Sequence, residues 1–498
     1  MTRTEVAPLD DGPAVVPDLT PDDAPVAIAE SNDNSEGGRL KMIVQLLKKC
    51  LGVKDIASMR ISLPASLLEP IPNLEYWSYL DRPDLFVAIN DSTDPFERML
   101  AVLRFTFSKD LKFIHGKVVK PYNSVLGEHF RAHWTIKPVT YTSDPTEPPI
   151  CHSYTQDPSP SVPQSETASS QSGRSKRSDA RLRNGSTSVN GVDLISALTS
   201  DASNISVGGN SSTSDSEPVR VVFLTEQVSH HPPISSYYYG APDRGIEACG
   251  VDQISAKVSG TSVKVSPGSL NKGIFIALTS GPGSGEKYQI THPVALVNGM
   301  LRGSPYACIC ETSIITCVNP NSQQHLRTII EYKDESWIGK AQYLLAGVIH
   351  EYDPLDIDHL EWVRPKHVPA EKILATLEGC WKKRIYWKRT GDSTKHTLID
   401  LSALSILPKT VRPLEEQHPF ESRKLWGNVT SNLLKRNFSE ATKHKQSIEQ
   451  AQRDDAADRK KKGKEFVPVY FEPDISTGAP KLTGAGRQAV KAELVMKP

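Results

Sequence analysis

The sequence predicts an α+β fold that is mainly β, built on a large antiparallel sheet or barrel with helices before and after it. Three observations predict it. From 219 to about 405 the chain alternates short β-rich runs with turn residues, among them Gly273 to Leu278, Ser313 to Val318, Leu326 to Tyr332, Ala341 to His350, Ile373 to Thr376 and Arg384 to Trp387. Many short strands at such spacing suit an antiparallel sheet or barrel, and a large barrel can enclose a ligand cavity. On both sides of this region apolar residues recur at helical spacing. Between two of the strands, Val219 to Leu224 and Ile234 to Tyr239, stands Glu226-Gln227-Val228-Ser229-His230-His231-Pro232-Pro233. Each proline fixes its own φ, lacks an N–H and pushes the preceding residue towards extended geometry, so the pair makes a stiff corner.

In chain order, residues 1–38 are rich in Asp, Glu, Pro and Ala and carry no aromatic residue, which predicts a disordered acidic tail. From Arg39 to Leu51, Leu40, Ile43, Val44, Leu47 and Leu51 form an apolar stripe, with Lys41, Gln45, Lys48 and Lys49 mostly off it. Such a helix either docks on a core or acts as a lid over a cavity or membrane surface. Glu75 to Leu80 reads as helical. Asp94 to Phe107 reads as a packed helix, with Asp94 as N-cap and Pro95 at the first helical position. Residues 142–217 are rich in Ser, Pro, Thr, Gly and Asn, with a basic cluster from Arg174 to Arg183, and are expected to form a disordered insertion between two strands. The C-terminal part turns helical over Phe420 to Phe438 and again from Ser439 to about Lys462; 474–498 reads as a loose tail. Trp381 and Trp387 are expected in the core or at its rim.

Composition narrows the function. Lys plus Arg equals Asp plus Glu, 58 each, so no global field favours nucleic acid or an anionic membrane. Seven cysteines without paired spacing argue for a reduced, cytoplasmic protein, and no metal-ligating or cofactor motif is expected. No apolar run approaches the ~20 residues that span a bilayer, so membrane contact is expected to be peripheral. A cysteine phosphatase would need Arg six positions after Cys, and none of the seven cysteines has it. No serine sits in a nucleophile elbow either. The chain is read as no enzyme.

Three segments carry chemistry. Two adjacent imidazoles, His230 and His231, donate up to four N–H bonds when charged, which suits a phosphate. Lys120-Pro121-Tyr122-Asn123-Ser124-Val125-Leu126-Gly127-Glu128 puts a lysine on extended chain before a turn. Lys445, Glu449 and Arg453 stand at i, i+4 and i+8 and share one helix face; the same spacing also makes an ordinary solvated salt-bridge ladder.

The stretches EQVSHHPP and KPYNSVLGE resemble the signatures of the oxysterol-binding protein family. The resemblance covers about residues 39–473, less the insertion. It implies a near-complete antiparallel β-barrel enclosing a lipid tunnel, an N-terminal helical lid and C-terminal helices at the mouth. It also implies exchange of a sterol or phospholipid for phosphatidylinositol 4-phosphate between membranes, by a monomer peripherally associated with them, with endoplasmic-reticulum contact sites as one place that would fit. By the same resemblance His230, His231 and Arg453 hold the 4-phosphate. Lys120, Lys445 and Glu449 hold the rest of the headgroup, and Asn123, Leu126, Gly127 and Glu128 support them. No pleckstrin-homology or ankyrin region is visible upstream, which implies a short form. Residues 97–119 hold no glutamine, whereas sterol-binding members use one there. The Ser62 to Pro70 stretch is similar to members that carry phosphatidylserine. Transporter and non-transporting lipid sensor both stay open.

Overall fold

The computed structural model describes residues 65–115, 119–144, 146–152, 217–259, 262–299, 306–320, 324–335 and 341–496, with 26–27, 61–62 and scattered positions from 42 to 53. Fourteen strands form one sheet. They are β1 His129–Ile136, β2 Val219–His230, β3 Pro233–Ala241, β4 Ile246–Ser259, β5 Ser262–Pro267, β6 Ile274–Leu278 and β7 Lys287–Ile290. Then follow β8 Val294–Asn298, β9 Tyr306–Val318, β10 His325–Tyr332, β11 Leu344–Tyr352, β12 Ile373–Cys380, β13 Arg384–Arg389 and β14 His396–Asp400. Pairing is antiparallel from β1 to β5, then through β8 to β14. Strand β4 pairs with β5 over one half and with β6 over the other, while β9 likewise pairs with β8 and β7. The sheet therefore forks in its middle, and β6–β7 fills the gap between the arms.

The helices are α1 Asn73–Tyr76, α2 Pro83–Val87, α3 Pro95–Ser108, α4 Lys112–His115, α5 Ser422–Leu425, α6 Gly427–Leu434, α7 Phe438–Lys461 and α8 Gly484–Leu494. The expected cap of α3 is present: Asp94 Oδ1 accepts from Phe96 N at 2.8 Å, and Pro95 opens the helix, where its missing N–H is harmless. Almost every α3 side chain is buried. One apolar cluster joins Phe86 and Phe105 to Phe130 and Trp134 on β1, Ile349 on β11 and Leu398 on β14. Both edge strands contribute to the same core, so the sheet curls around α2 and α3. Trp381 and Trp387 belong to that core.

Four expectations change. Helix α1 stops at Tyr76 instead of reaching Leu80, because the backbone leaves helical geometry at Trp77 (φ −96°, ψ 63°), and it turns left-handed at Tyr79 (φ 54°). The helix expected over Phe420 to Phe438 is two helices, broken at Trp426, which is buried. The insertion starts later than 142. Thr140 and Ile150 exchange backbone hydrogen bonds of 3.0 and 2.8 Å, and Tyr141 donates to Asp91 Oδ2 at 2.9 Å. Residues 153–216 lie outside the described residues. Lastly, 474–498 is no loose tail, since α8 buries Ala489 and Val490 against Val222 and Leu224 of β2.

Residues 1–25 and the lid residues Leu40, Ile43, Val44, Leu47 and Leu51 also lie outside the described residues. Their neighbours Met42, Gln45, Leu46, Lys48, Lys49 and Cys50 are helical, with Met42 and Cys50 buried and Gln45, Lys48 and Lys49 exposed.

Candidate functional site

The histidine pair stands at the tip of the β2–β3 hairpin. His230 pairs with Pro233, leaving His231 and Pro232 as a two-residue turn with a cis peptide between them. A register shift between Gln227 and Ser229 bends β2 just before the tip. Ser229 Oγ donates to the Pro232 carbonyl at 2.8 Å and Gln227 Nε2 to the Ser229 carbonyl at 2.7 Å, so the turn is pinned from within. The imidazole rings lie 4.4 Å apart. His230 Nδ1 is 3.1 Å from the Ser124 carbonyl, and a carbonyl only accepts, so Nδ1 carries the proton.

Ser124 belongs to the second motif, which packs against the first. Gly127 N donates to the Gln227 carbonyl at 2.9 Å and Gln227 N to the Glu128 carbonyl at 2.8 Å. Gly127 has φ 79°, and a Cβ there would meet the Phe466 ring at 3.3 Å, so the turn requires glycine. Glu128 is fully buried. Its carboxylate accepts from Val125 N and Trp426 Nε1, each at 3.0 Å, and from Ser422 Oγ at 2.7 Å. Burial still prevails over these donors and pushes the carboxyl up to about 7. Glu128 thus clasps the loop to α5 and α6. The Tyr122 ring packs on Trp426 at 4.9 Å, and its hydroxyl is 2.9 Å from Thr430 Oγ1.

Helix α7 closes the third side. Leu126 N donates to Gln452 Oε1 at 3.2 Å. Lys445 is buried and donates to Glu449 Oε1 at 2.5 Å. Lys120 Nζ donates to Asn123 Oδ1 at 2.6 Å and to the Pro121 carbonyl at 3.0 Å. Its side chain still reaches solvent, yet the protein crowded around it removes much of its hydration. That desolvation, and then the Lys445 charge, push its ammonium down to about 8. The two ammonium groups are thus close enough to repel, with the Glu449 carboxylate against Lys445. Arg453 is exposed, and its guanidinium bonds Gln450 Oε1 of its own helix at 3.1 and 2.8 Å. The structure therefore brings Lys120, Asn123, Lys445 and Glu449 together and seats His230 on the same loop, while Arg453 points along α7.

Sequence reasoning missed several members. Glu226 is fully buried and accepts from Val469 N and Tyr470 N, both at 2.7 Å, so the first residue of the histidine motif anchors the C-terminal segment. Burial raises its carboxyl pKa. Its place at the head of an unusual motif was the available signal. Inside the curled sheet Tyr79 donates to Asp252 Oδ1 at 2.7 Å, and its ring lies 5.4 Å from Tyr237 and 5.3 Å from His292. Burial pushes Asp252 up to about 7 and His292 down to about 3, both towards neutral forms. No periodicity or spacing marks that cluster. Among the described residues no group of His, Cys, Asp and Glu is arranged to hold a metal ion, and no helix is long and apolar enough to cross a membrane.

Comparison with known proteins agrees with this architecture. The family model described as oxysterol-binding protein matches residues 42–180 and 210–433. Oxysterol-binding protein-like protein 1 of Schizosaccharomyces pombe is 40% identical over 485 residues, covering 92% of each chain. Human oxysterol-binding protein-related protein 11 is 27% identical over 414 residues, 83% of this chain and 45% of that one, so the chain spans under half of that relative's length. Among solved structures, the Osh1 ORD domain in complex with ergosterol superposes with a TM-score of 0.54 at 17% identity, covering 90% of this chain and 88% of that one. The Osh3 ORD in complex with PI(4)P from Saccharomyces cerevisiae does so at 0.54 and 16%, covering 91% and 93%. The curled antiparallel sheet around central helices is thus the fold of these ORD domains. The chain belongs to the oxysterol-binding protein family.

Proposed function

We propose that the chain is a non-enzymatic lipid-transfer protein. It binds a sterol or phosphatidylserine inside the sheet and exchanges it for phosphatidylinositol 4-phosphate between membranes. The observation that carries this reading is the loop 120–128, which holds His230 through Ser124 and faces Lys445 through Lys120. In this reading His230, His231 and Arg453 take the 4-phosphate, with Arg453 leaving Gln450 for a bidentate contact. Lys120, Lys445 and Glu449 take the remaining headgroup, Glu449 accepting from inositol hydroxyls. The related structures that hold ergosterol and PI(4)P support both ligand classes. The neutral polar cluster at Tyr79, Asp252 and His292 offers a partner for the polar end of the second lipid.

The test is His230→Ala combined with His231→Ala. Each charged hydrogen bond to a buried phosphate is worth about 1.5–3 kcal/mol, so extraction of phosphatidylinositol 4-phosphate from liposomes should fall by about a hundredfold or more. Uptake of the second lipid, identified by mass spectrometry of what co-purifies, should persist. Unchanged phosphoinositide uptake would refute the headgroup assignment.

A further inference from the structure

We propose that Glu226, the first residue of the histidine motif, is a positioning residue for the phosphoinositide headgroup: it holds the far half of α7, with Arg453, within reach of the histidine corner. The inference rests on the lipid-exchange reading, since it concerns the same headgroup site.

Helix α7 is fastened unevenly. Its first half is built into a small apolar core, where Ala441 and Ile448 pack with Tyr122, Val125 and Trp426. Lys445 is buried there, and Thr442 Oγ1 accepts from Ala65 N at 3.3 Å. Beyond Glu449 the helix runs out along the surface, where Gln450, Ala451 and every residue from Arg453 to Asp458 are exposed. At ~1.5 Å per residue Arg453 stands about 12 Å further along the axis than Lys445, so a tilt of about 10° would shift it by about 2 Å. A bidentate contact to phosphate tolerates only about 0.5 Å.

Two attachments hold this far half. Gln452 Oε1 accepts from Leu126 N at 3.2 Å. After Lys461 the chain folds back on the helix. Lys464 N donates to the Arg459 carbonyl at 3.0 Å, the Arg459 guanidinium lies 6.0 Å from the centre of the Phe466 ring, and that ring packs on Gly127. Glu226 grips the next stretch. Its carboxylate accepts from Val469 N and Tyr470 N, both at 2.7 Å. Thr483, the N-cap of α8, takes the carbonyls of the same two residues, its Oγ1 donating to Val469 at 2.6 Å and its N to Tyr470 at 2.9 Å. The tether is thus clamped between β2 and α8.

The clamp sits against the headgroup loop. Glu226 lies opposite His129 in the β1–β2 ladder. The His129 ring meets the Tyr470 ring at 4.9 Å, and its Nδ1 is 3.3 Å from the Gly127 carbonyl. Gly127 N in turn donates to the carbonyl of Gln227, next to Glu226. Lysine loop, histidine strand and tether share one knot. A fully buried carboxylate is a costly way to tie it, because two amide donors replace its lost hydration only in part. An apolar side chain would fill the space at lower cost but would leave two successive N–H groups unfixed. The part of the molecule that needs them fixed is the arginine at the end of a long lever.

The experiment is a double-mutant cycle on the full chain. Extraction of phosphatidylinositol 4-phosphate from liposomes is measured, with retention of the co-purifying second lipid and the melting temperature alongside. Arg453→Ala should lose about tenfold or more in extraction. Glu226→Gln keeps the size of the side chain but turns an NH2 towards one of the two donors. It should lose about tenfold as well and keep the second lipid. The double variant should stay within about twofold of Arg453→Ala alone, because an arginine already out of reach has nothing left to contribute. Phe466→Ala loosens the same tether from a half-buried position and should repeat the pattern; it carries the test if Glu226→Gln fails to fold. Losses that multiply in the double variant, or that fall equally on both lipids, mark a purely structural carboxylate and overturn the proposal. So does unchanged extraction by Glu226→Gln. Normal extraction by Arg453→Ala, or none by the parent, overturns the headgroup reading along with it, so the two failures are distinguishable.

Discussion

Lys120 is a cation held where a cation is unwelcome, between desolvating protein and Lys445. An unfolded lysine titrates near 10.4, and this one near 8. Between those values the unfolded chain binds the extra proton. The strain from Lys120 is therefore full below pH 8 and is relieved as pH rises to about 10, so its contribution to stability improves with pH. Binding runs the other way. A phosphate headgroup favours the protonated amine, so phosphatidylinositol 4-phosphate uptake should weaken as pH rises through about 8. Lys120→Arg should keep uptake and remove that inflection, because a guanidinium stays charged throughout. Liposome extraction measured from about pH 7 to about pH 9 on both proteins checks it, and identical pH profiles would show that Lys120 does not meet the headgroup.

At the scale of elements, what was legible depended on whether local chemistry or distant contacts decided the outcome. The hairpin with its histidine tip and the start of α3 could be read, because Pro232, Pro233, Asp94 and Pro95 act on their own neighbours. The break at Trp426 could not, since it answers to Glu128, which is 298 residues away in sequence. The turn at Tyr79 answers to Asp252 in the same way. The proximity of Lys120 to Lys445 was named only through resemblance; nothing in either segment announces the other. Helix α8 was hidden by its small residues. A Cβ on Gly486 would meet the Tyr470 carbonyl at 2.2 Å, so the glycine that looks like loop is what lets the helix approach. Near its end Glu493, despite burial, is held below the usual carboxylate range by His133 (2.8 Å) and Arg412 (2.9 Å). Ending the chain at Leu482 should therefore uncover Phe471 and Tyr470 and strand His133. A loss of about 3 kcal/mol or more is expected from the apolar burial alone, seen as a melting temperature lower by several degrees. A truncated protein with the parent melting temperature would restore the reading of a dispensable tail.

Across the whole molecule, folding depends on whether β1 and β2 find each other although 82 positions separate Ile136 from Val219, the ends that pair. Their ladder runs in unbroken register from His129 opposite Glu226 to Ile136 opposite Val219. On either side of it β1 is tied independently, His133 exchanging backbone bonds of 3.0 and 2.8 Å with Thr410 and Arg131 pairing with Glu421. Residues up to 152 take part in that framework through the Thr140–Ile150 bridge and the Arg82 contact to the His152 carbonyl at 3.5 Å. The connection itself supplies none of these bonds. Loop-closure entropy changes by only about 0.6 kcal/mol for each doubling of length, so shortening the connection should alter stability little. Joining Tyr154 to Glu217 through a short Gly-Ser linker should leave the melting temperature and the liposome-to-liposome transfer rate near those of the parent. A deletion beginning at Thr140 should not be tolerated, because it removes the bridge to Ile150 and unseats Tyr141 from Asp91. Measuring both deletions side by side separates framework from insertion, and a large loss of transfer in the shorter deletion would assign 155–216 a part in exchange itself.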